Sequence, residues 1–531
     1  MAIALKNRAS KKAYFSTRQL TFVSFESPFS QKLPANNRWI HLAENIPWDD
    51  IVQVYNRQLN NNSTGASNIN PRVVIGALLV KHLLNLSDRD TILAIQENIY
   101  IQYFLGFDNI IFDAPFNPSL FVEIRKRMGL DELAKMNDMI YRHSFSITKK
   151  EVNINHDKNI KENNDDSTVE ESIVSSSISD FKETSEETQI THSGRMLVDA
   201  TACPQDIAYP TDIKILNASR EKSEELIDVL YDRTIHGPNK PRTYREEARN
   251  KYLFISKKKV RRRKELRKAI GQQLRYLRRN LSTIKKLLSK YPVNPLKERE
   301  QAYYETIKKV FEQQDQMYSN RTHSVSNRIV SIHQSHVRPI VRGKEKAKVE
   351  FGSKINVSLV NGYGFVDHLS WDAFNEGGYL MKSVELYKKR HGFYPAEVMV
   401  DQIYGTRENR RQLKELGIKL VGRQLGRPPK IPTMKLDPGD RNPIEGKFGQ
   451  GKTRYGLGLM KARFKETSES WVASILLVMN LVRMASQAAL LFFVFLIQGI
   501  LGMIGSIIRQ INGYWSVCRW MWNSNKFSYS R

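Results

Sequence analysis

Apolar residues recur at helical spacing through 38–130, and this pattern predicts a compact helical unit. Pro71 suits the first turn of a helix that continues through the following apolar stretch. Ser87 is placed to cap a second helix over 88–96. Two helices joined by so short a turn are typical of a helix-turn-helix DNA reader, and an ordinary helical scaffold is the alternative. His82 lies on the first of these helices and is predicted to be a core residue rather than a ligand.

A second helical region is predicted within 240–325. From Leu266 to Leu288, leucine or isoleucine recurs every three or four residues, which indicates a long amphipathic helix. Two prolines then interrupt the pattern, and apolar spacing resumes at Tyr303. We expect an antiparallel helical hairpin with a basic outer face.

Short apolar runs predict strands before and after this helical region. The runs cover 196–201, 354–360, 364–369, 397–401 and 418–421. The second and third are separated by Asn361-Gly362, which is a signal for a tight hairpin turn. The first run contains Asp199 near its end, and the fourth ends in Asp401. Strands interleaved with helices in this way predict an α/β fold.

Composition divides the chain into segments. We predict an N-terminal arm (1–37), a helical DNA-binding-type domain (38–147), a linker (148–193), an α/β domain (194–485) and an apolar tail (486–531). The α/β domain contains a helical insertion at about 213–335. The linker is predicted to be disordered, because 151–190 holds eleven acidic residues against three lysines and few large apolar residues.

The apolar tail allows three interpretations. Residues 488–508 form an uncharged stretch that is long enough to span a bilayer. Two glutamines and three glycines interrupt or dilute the stretch between 487 and 505. A buried last helix of the core is therefore favoured over membrane contact, and drifted tail sequence is the third alternative.

The formal net charge is +28 over 531 residues, which favours a polyanionic partner such as DNA or RNA. A ribosomal or membrane-surface protein is the alternative. Two cysteines exclude a disulfide framework and a cysteine-based zinc site, and 1–20 contains no apolar signal, so a cytoplasmic protein is expected. The densest cationic run precedes the long amphipathic helix. The residues predicted there to bind DNA are Lys257, Lys258, Lys259, Arg261, Arg262 and Arg263.

Residues 441–456 support two incompatible functions. Gly446–Thr453 fits the G-x-x-x-x-G-K-[ST] pattern of a phosphate-binding loop, which would make the chain a P-loop nucleotide hydrolase. That loop needs a buried strand before it, and the proline- and glycine-containing stretch before Arg441 does not suit one. The second interpretation is a metal-ion nuclease site. Arg441, Glu445 and Lys452 would lie near one face of a helix, because they are four and seven residues apart, and a carboxylate flanked by two cations suits metal ions and a phosphodiester. A plain turn is the third alternative.

Three carboxylates are candidates for a metal site: Asp199, Asp401 and Glu445. Strands of a central sheet bring distant residues together, and three acids at one place repel one another unless cations intervene. Oxygen-only ligands suit Mg²⁺, with Mn²⁺ as an alternative. A pair of such ions activates the attacking oxygen and stabilises the leaving oxygen of a phosphodiester.

These residues resemble the DDE transposases of bacterial insertion sequences. The resemblance covers about 37–130 and 195–485. Its motifs are LVDATACPQDIAYPTD (197–212), VRPIVRGK (337–344), SWDAFNEGGYL (370–380), VMVDQIYGTRENR (398–410) and RNPIEGKFGQGKTRYGL (441–457). It implies a ribonuclease-H-like mixed-sheet catalytic domain with a helical insertion after the first catalytic strand, preceded by an all-α domain.

The resemblance also implies roles for individual residues. Asp199, Asp401 and Glu445 align with the family's catalytic triad, while Arg441 and Lys452 match the basic positions of its signature, which contact the phosphates of the element ends. The signature's tyrosine is absent, since Pro438 stands at that position. Asp206 and Asp212 are weaker candidates for the first acid, because an apolar strand delivers Asp199. Tyr404 is predicted to pack rather than touch DNA.

The function implied is metal-dependent cleavage at the ends of an insertion sequence, followed by attack of the freed 3′-hydroxyl on target DNA. Double-stranded DNA is the expected partner, and synapsis of two ends implies a homodimer. A catalytically inactive nucleic-acid-binding protein and the P-loop nucleotide hydrolase are the alternatives.

Overall fold

The computed structural model describes residues 33–34, 36–59, 69–160, 191–341, 349–422 and 438–487, with the backbone alone for 146–160, 438 and 440. The predicted apolar tail from 488 onward and most of the N-terminal arm lie outside these ranges. Within the described ranges, no helix combines the length and apolar character needed to cross a membrane.

The N-terminal region is helical, as the apolar spacing predicts. Its helices are α1 (Arg38–Asn45), α2 (Trp48–Asn56), α3 (Pro71–Leu83), α4 (Asp88–Glu97), α5 (Ile99–Leu105), α6 (Leu120–Arg127) and α7 (Leu130–Ile160). Pro71 occupies the first turn of α3. The Ser87 hydroxyl accepts a hydrogen bond from the backbone amide of Asp90 and so caps α4. Helix α7 continues beyond the boundary predicted at 147.

The helix-turn-helix interpretation gains no support from the surfaces of these two helices. Nearly all of α3 is buried, so it is a central core helix. The first turn of α4 is acidic, with Asp88 and Asp90, and a recognition helix presents its N-terminal residues to DNA. His82 is 1% exposed and packs edge-on against Trp471, which agrees with the predicted core role.

A mixed sheet forms the centre of the molecule. Its strands are β1 (Arg195–Pro204), β2 (Arg338–Val341), β3 (Val349–Val360), β4 (Tyr363–Ser370), β5 (Glu397–Val400) and β6 (Lys419–Val421). The order is β2-β3-β1-β5-β6, with β4 also paired to β3. Strand β3 is antiparallel to β1, β2 and β4, whereas β1, β5 and β6 run parallel. This is the mixed α/β arrangement expected of a ribonuclease-H-like domain.

Strand β1 is longer than its apolar run indicates. Its pairing with β3 continues past Asp199 as far as Pro204, which lies opposite Gly352. The expectation that Asp199 lies near the end of its strand is therefore wrong, because ladder hydrogen bonds extend the strand through residues whose side chains are not uniformly apolar. The hairpin prediction is confirmed, since Asn361 and Gly362 both have positive φ and join β3 to β4.

The insertion between β1 and β2 is helical. Its members are α8 (Asp212–Leu230), α9 (Arg233–His236), α10 (Arg245–Ser256), α11 (Arg263–Leu288) and α12 (Glu298–Asn320). The predicted hairpin corresponds to α11 and α12, and α8 packs against both through leucines and isoleucines such as Leu226 and Leu277. The basic run at 257–263 is not on an outer helical face. It forms the connection from α10 to α11, because the apolar spacing begins only at Leu266.

Four helices remain. They are α13 (Leu380–His391) between β4 and β5, α14 (Arg407–Glu415) between β5 and β6, α15 (Asn442–Arg454) and α16, whose described part covers 465–487. The helical N-terminal unit and the sheet share one hydrophobic core, which includes Leu78 from α3 and Val198 from β1. Buried amides reinforce this contact: Asn480 donates to Asn137 on α7 and to the carbonyl of Gly364 on β4. The N-terminal unit is thus packed firmly against the sheet.

Candidate active site

The parallel register of β1 and β5 brings two of the predicted acids together. Val198 lies opposite Val400, so the next residues along the two strands are Asp199 and Asp401. Strand β5 ends there, and Asp401 caps the following 3₁₀ turn by accepting a hydrogen bond from the backbone amide of Gln402 at 2.7 Å. The carboxylate of Asp199 accepts a hydrogen bond from the backbone amide of Ala200 at 2.8 Å. Backbone geometry therefore fixes both carboxylates.

Arg441 joins the two acids. Its guanidinium lies 3.3 Å from Oδ2 of Asp199 through Nη2 and 3.2 Å from Oδ1 of Asp401 through Nη1. Arg441 precedes the first turn of α15, and Glu445 is exposed one turn further along this helix. Lys452 follows two turns later. The predicted helix is confirmed for Glu445 and Lys452, whereas Arg441 lies at its N-cap, beside the aspartate pair.

The same helix removes the phosphate-loop interpretation. Gly446–Thr453 lies inside α15, where the backbone amides are directed at carbonyls one turn earlier. A phosphate-binding loop needs those amides free to surround the phosphate. The residues before the helix form a 3₁₀ turn at Pro438–Arg441 rather than a buried strand. The P-loop alternative is therefore wrong.

Asp199 is a largely buried acid with two other carboxylates, Glu376 and Asp401, close enough to affect its pKa. Burial raises its pKa to about 6, and the carboxylates of Glu376 and Asp401 add to the rise. The amide of Ala200 and the guanidinium of Arg441 act in the opposite direction, but burial wins because the side chain is only 16% exposed. A buried acid with a raised pKa beside further carboxylates is a position where a cation is stabilising.

Glu376 is a site residue that the sequence does not single out. It lies in a 3₁₀ turn at Glu376–Tyr379, outside any apolar strand, and pairs with Lys354 on β3 at 2.8 Å. Its effect on the pKa of Asp199 exceeds that of Asp401. The only signal for it is its place in the motif at 370–380.

Buried hydrogen bonds support the turn that follows Asp401. The hydroxyl of Tyr404 donates to Oδ1 of Asn356 at 2.5 Å, and Asn356 donates to Ser383 at 2.9 Å. The amide of Asn409 donates both to the carbonyl of Tyr404 at 2.8 Å and to that of Gly377 at 2.7 Å. Tyr404 is fully buried, which confirms that it packs. These bonds clamp the turn after Asp401 to the turn that contains Glu376.

The site has the ligand chemistry for a divalent cation but is not closed around one. Among the described residues, no three acidic, histidine or cysteine side chains converge closely enough to hold a metal ion. The Arg441 guanidinium instead provides positive charge between Asp199 and Asp401. Carboxylate oxygens are the ligands that Mg²⁺ prefers, so the donor set fits the ion.

Comparisons with known proteins agree with this geometry. The family model described as "Transposase DDE domain" matches residues 398–482, which include Asp401, Arg441 and Glu445. A second family, described as "Transposase domain (DUF772)", matches residues 27–127 in the helical N-terminal region. The two matches indicate an insertion-sequence DDE transposase. Asp199 lies outside both matched ranges, so its assignment to this transposase's site depends on the strand register.

One curated relative is similar to part of the transposase chain. It is the "Uncharacterized protein ORF8 in nfe locus" of Rhizobium meliloti, 31% identical over 102 residues. These residues are 18% of the chain and 47% of the relative, so the chain spans about half the length of that protein. No solved structure matches the chain.

Proposed function

We propose that this transposase cleaves DNA at the ends of its insertion sequence and joins the freed 3′-hydroxyl groups to target DNA. The observation that supports it is the register of β1 and β5, which places Asp199 beside Asp401 where α15 begins. The match to a transposase DDE domain over α15 points to the same chemistry. Asp199, Asp401 and Glu445 are the proposed catalytic residues.

In this proposal the same three carboxylates hold divalent metal, with Mg²⁺ preferred and Mn²⁺ as a substitute. Metal held by these residues would supply activation of the attacking oxygen and stabilisation of the leaving oxygen. Asp199 and Asp401 are fixed by backbone amides, and Glu445 joins them by a rotation of its exposed side chain or a small shift of α15. Four carboxylates, counting Glu376, make the site attractive to a cation.

Arg441 has two roles in the proposal. Its guanidinium lies between Asp199 and Asp401 and neutralises them. With metal held by the acids and DNA bound, the guanidinium would be free to contact a phosphate, for which its planar, two-pronged geometry is suited. Lys452, on the same helix, contacts a further phosphate. The basic residues Lys257, Lys258, Lys259, Arg261, Arg262 and Arg263 are proposed to bind DNA outside the site.

The proposal includes an oligomeric state and a cell compartment. Holding two element ends together requires at least two copies of the chain, so a homodimer forms during transposition. The site of action is the cytoplasm, where bacterial DNA lies and where a chain with two cysteines stays reduced.

The experiment is cleavage of duplex DNA that contains the element's own ends, in Mg²⁺, by wild type and by Glu445→Gln. We expect nicking at the ends by wild type and a large loss in the variant, because a neutral amide is a much weaker ligand for Mg²⁺ than a charged carboxylate. Glu415→Gln, an exposed acid on α14, is the matched control and should cleave normally. DNA binding without cleavage by every protein would instead indicate a catalytically inactive DNA-binding protein.

A further inference from the structure

A basic groove lies where the ends of the insertion helices meet. It consists of two adjoining cavities of about 570 and 420 Å³ that share Asp212, Leu266, Ile270 and His323. The first is bounded by the start of α11 and the end of α12, and the second extends to the segment that follows β1. We call this feature the insertion groove. Its cationic lining is Arg261, Arg263, Lys264, Arg267, Arg321 and Arg328.

The charge of the groove is strongly unbalanced. Against these six cations the lining contains one acid, Asp212, which is already paired with Arg328 at 2.5 Å and accepts from Gln314 at 3.1 Å. Helix α11 begins at Arg263 without a side-chain cap, so the positive end of a 26-residue helix adds to the field. A cavity with this excess of positive charge favours phosphate groups.

The groove is held in shape by contacts between α11 and α12. The guanidinium of Arg267 stacks on the ring of Tyr318, 4.2 Å from its centroid, and donates to the carbonyl of Tyr318 at 2.9 Å. Gly271 allows this approach, since a Cβ there would lie 2.6 Å from the Tyr318 hydroxyl. Binding therefore needs little reordering of the groove, which favours affinity.

The groove also reaches the central sheet. Its second cavity is lined by Phe351 on β3 and by Tyr209 after β1. Gly352, next to Phe351, pairs with Pro204, while Asp199 pairs with Val357, five positions further along the ladder. At about 3.3 Å per residue this distance is about 17 Å. Successive phosphates of one DNA strand advance about 3.4 Å along the duplex, so the offset corresponds to about five nucleotides.

We propose that the insertion groove binds the phosphate backbone of duplex DNA at least about five nucleotides from the cleaved bond, because the offset is measured to the near rim of the groove. The proposal rests on the proposed function and extends it, because it gives the helical insertion a task at a defined place on the DNA. Arg261 and Arg263 of the predicted cluster at 257–263 line this groove. The contacts to DNA then include Arg267 and Arg321, which the basic run does not contain.

The test is the salt dependence of binding by the full chain to an arbitrary duplex and to a duplex with the element end. The groove variant is Lys264→Ala with Arg321→Ala. The control is Lys285→Ala with Lys286→Ala, which removes the same charge from exposed positions near the other end of α11, about 30 Å away. The charge-preserving pair Lys264→Arg with Arg321→Lys tests whether positive charge at these positions is what matters.

Each phosphate contact contributes about 0.9 to the slope of log affinity against log salt. We expect the groove variant to lower the slope by about 1.8 and the control and charge-preserving variants to leave it unchanged. A lower slope on both duplexes indicates contact that does not depend on sequence. A lower slope on the element end alone indicates that the groove serves end recognition. Equal slopes for the groove variant and the control would overturn the proposal. Cleavage that depends on Glu445 would still stand, so the two proposals fail separately.

Discussion

Replacing Asp199 with asparagine should stabilise the metal-free protein while abolishing cleavage. The pKa of Asp199 is raised from 3.8 to about 6 in the folded chain. Folding therefore favours the protonated acid. This contribution to stability is fully present below about pH 4 and is lost as pH rises through about 6. A difference of about two pKa units corresponds to about 3 kcal/mol. At neutral pH the folded protein is therefore destabilised, because Asp199 is charged in a largely buried position.

Asparagine is neutral at every pH and still accepts the amide of Ala200 through Oδ1. At pH 8 without divalent metal, the Asp199→Asn protein should be up to about 3 kcal/mol more stable than wild type. Below pH 4 the two proteins should be equally stable. The measurement is chemical denaturation at pH 4 and pH 8 in chelator, comparing unfolding midpoints at constant slope.

Two comparisons make this prediction specific. Asp206→Asn, an exposed acid shortly after β1, should leave stability unchanged at both pH values. Adding Mg²⁺ at pH 8 should stabilise wild type and reduce its deficit against Asp199→Asn, because the ion compensates the carboxylate. If Asp199→Asn is no more stable than wild type at pH 8, the buried charge of Asp199 does not destabilise the folded protein.

Two further predictions follow from the contacts around the acids. Arg441→Gln should raise the affinity of the DNA-free protein for Mn²⁺ about fivefold by calorimetry, because a partly exposed ion pair is worth up to about 1 kcal/mol, and it should weaken DNA binding. Unchanged metal affinity would show that the guanidinium does not compete with the ion. Tyr404→Phe should cost about 1–3 kcal/mol of unfolding free energy, because the buried Oδ1 of Asn356 loses its donor. Tyr231→Phe, whose hydroxyl donates to the Gly237 carbonyl in the insertion, is the comparison and should leave cleavage intact, whereas Tyr404→Phe should reduce it.

Local signals in the sequence predict much of the fold. Pro71 and Ser87 define the starts of α3 and α4, and Asn361-Gly362 defines the hairpin, because each residue type suits one backbone geometry. Asp199 and Asp401 are found as acids on apolar strands. Their pairing through Arg441 needs the sheet order, which hydrophobic spacing does not contain.

Other features depend on contacts between distant parts of the chain. The extension of β1 to Pro204 comes from its pairing with β3, and the place of Glu376 comes from the clamp formed by Asn409. The apolar spacing of α8 predicts a helix. That spacing does not predict that α8 packs against α11 and α12. The position of the basic run at the α10–α11 connection likewise follows from where the helices end.

The central claim, that Asp401 holds the metal used in DNA cleavage, is tested most directly by Asp401→Cys. A thiolate is a poor ligand for the hard Mg²⁺ ion and a better one for softer cations. We expect Asp401→Cys to bind element-end DNA, to fail to nick it in Mg²⁺ and to recover nicking in Mn²⁺, while wild type and Asp206→Cys nick in both. Nicking by Asp401→Cys in Mg²⁺ at the wild-type rate would contradict the account.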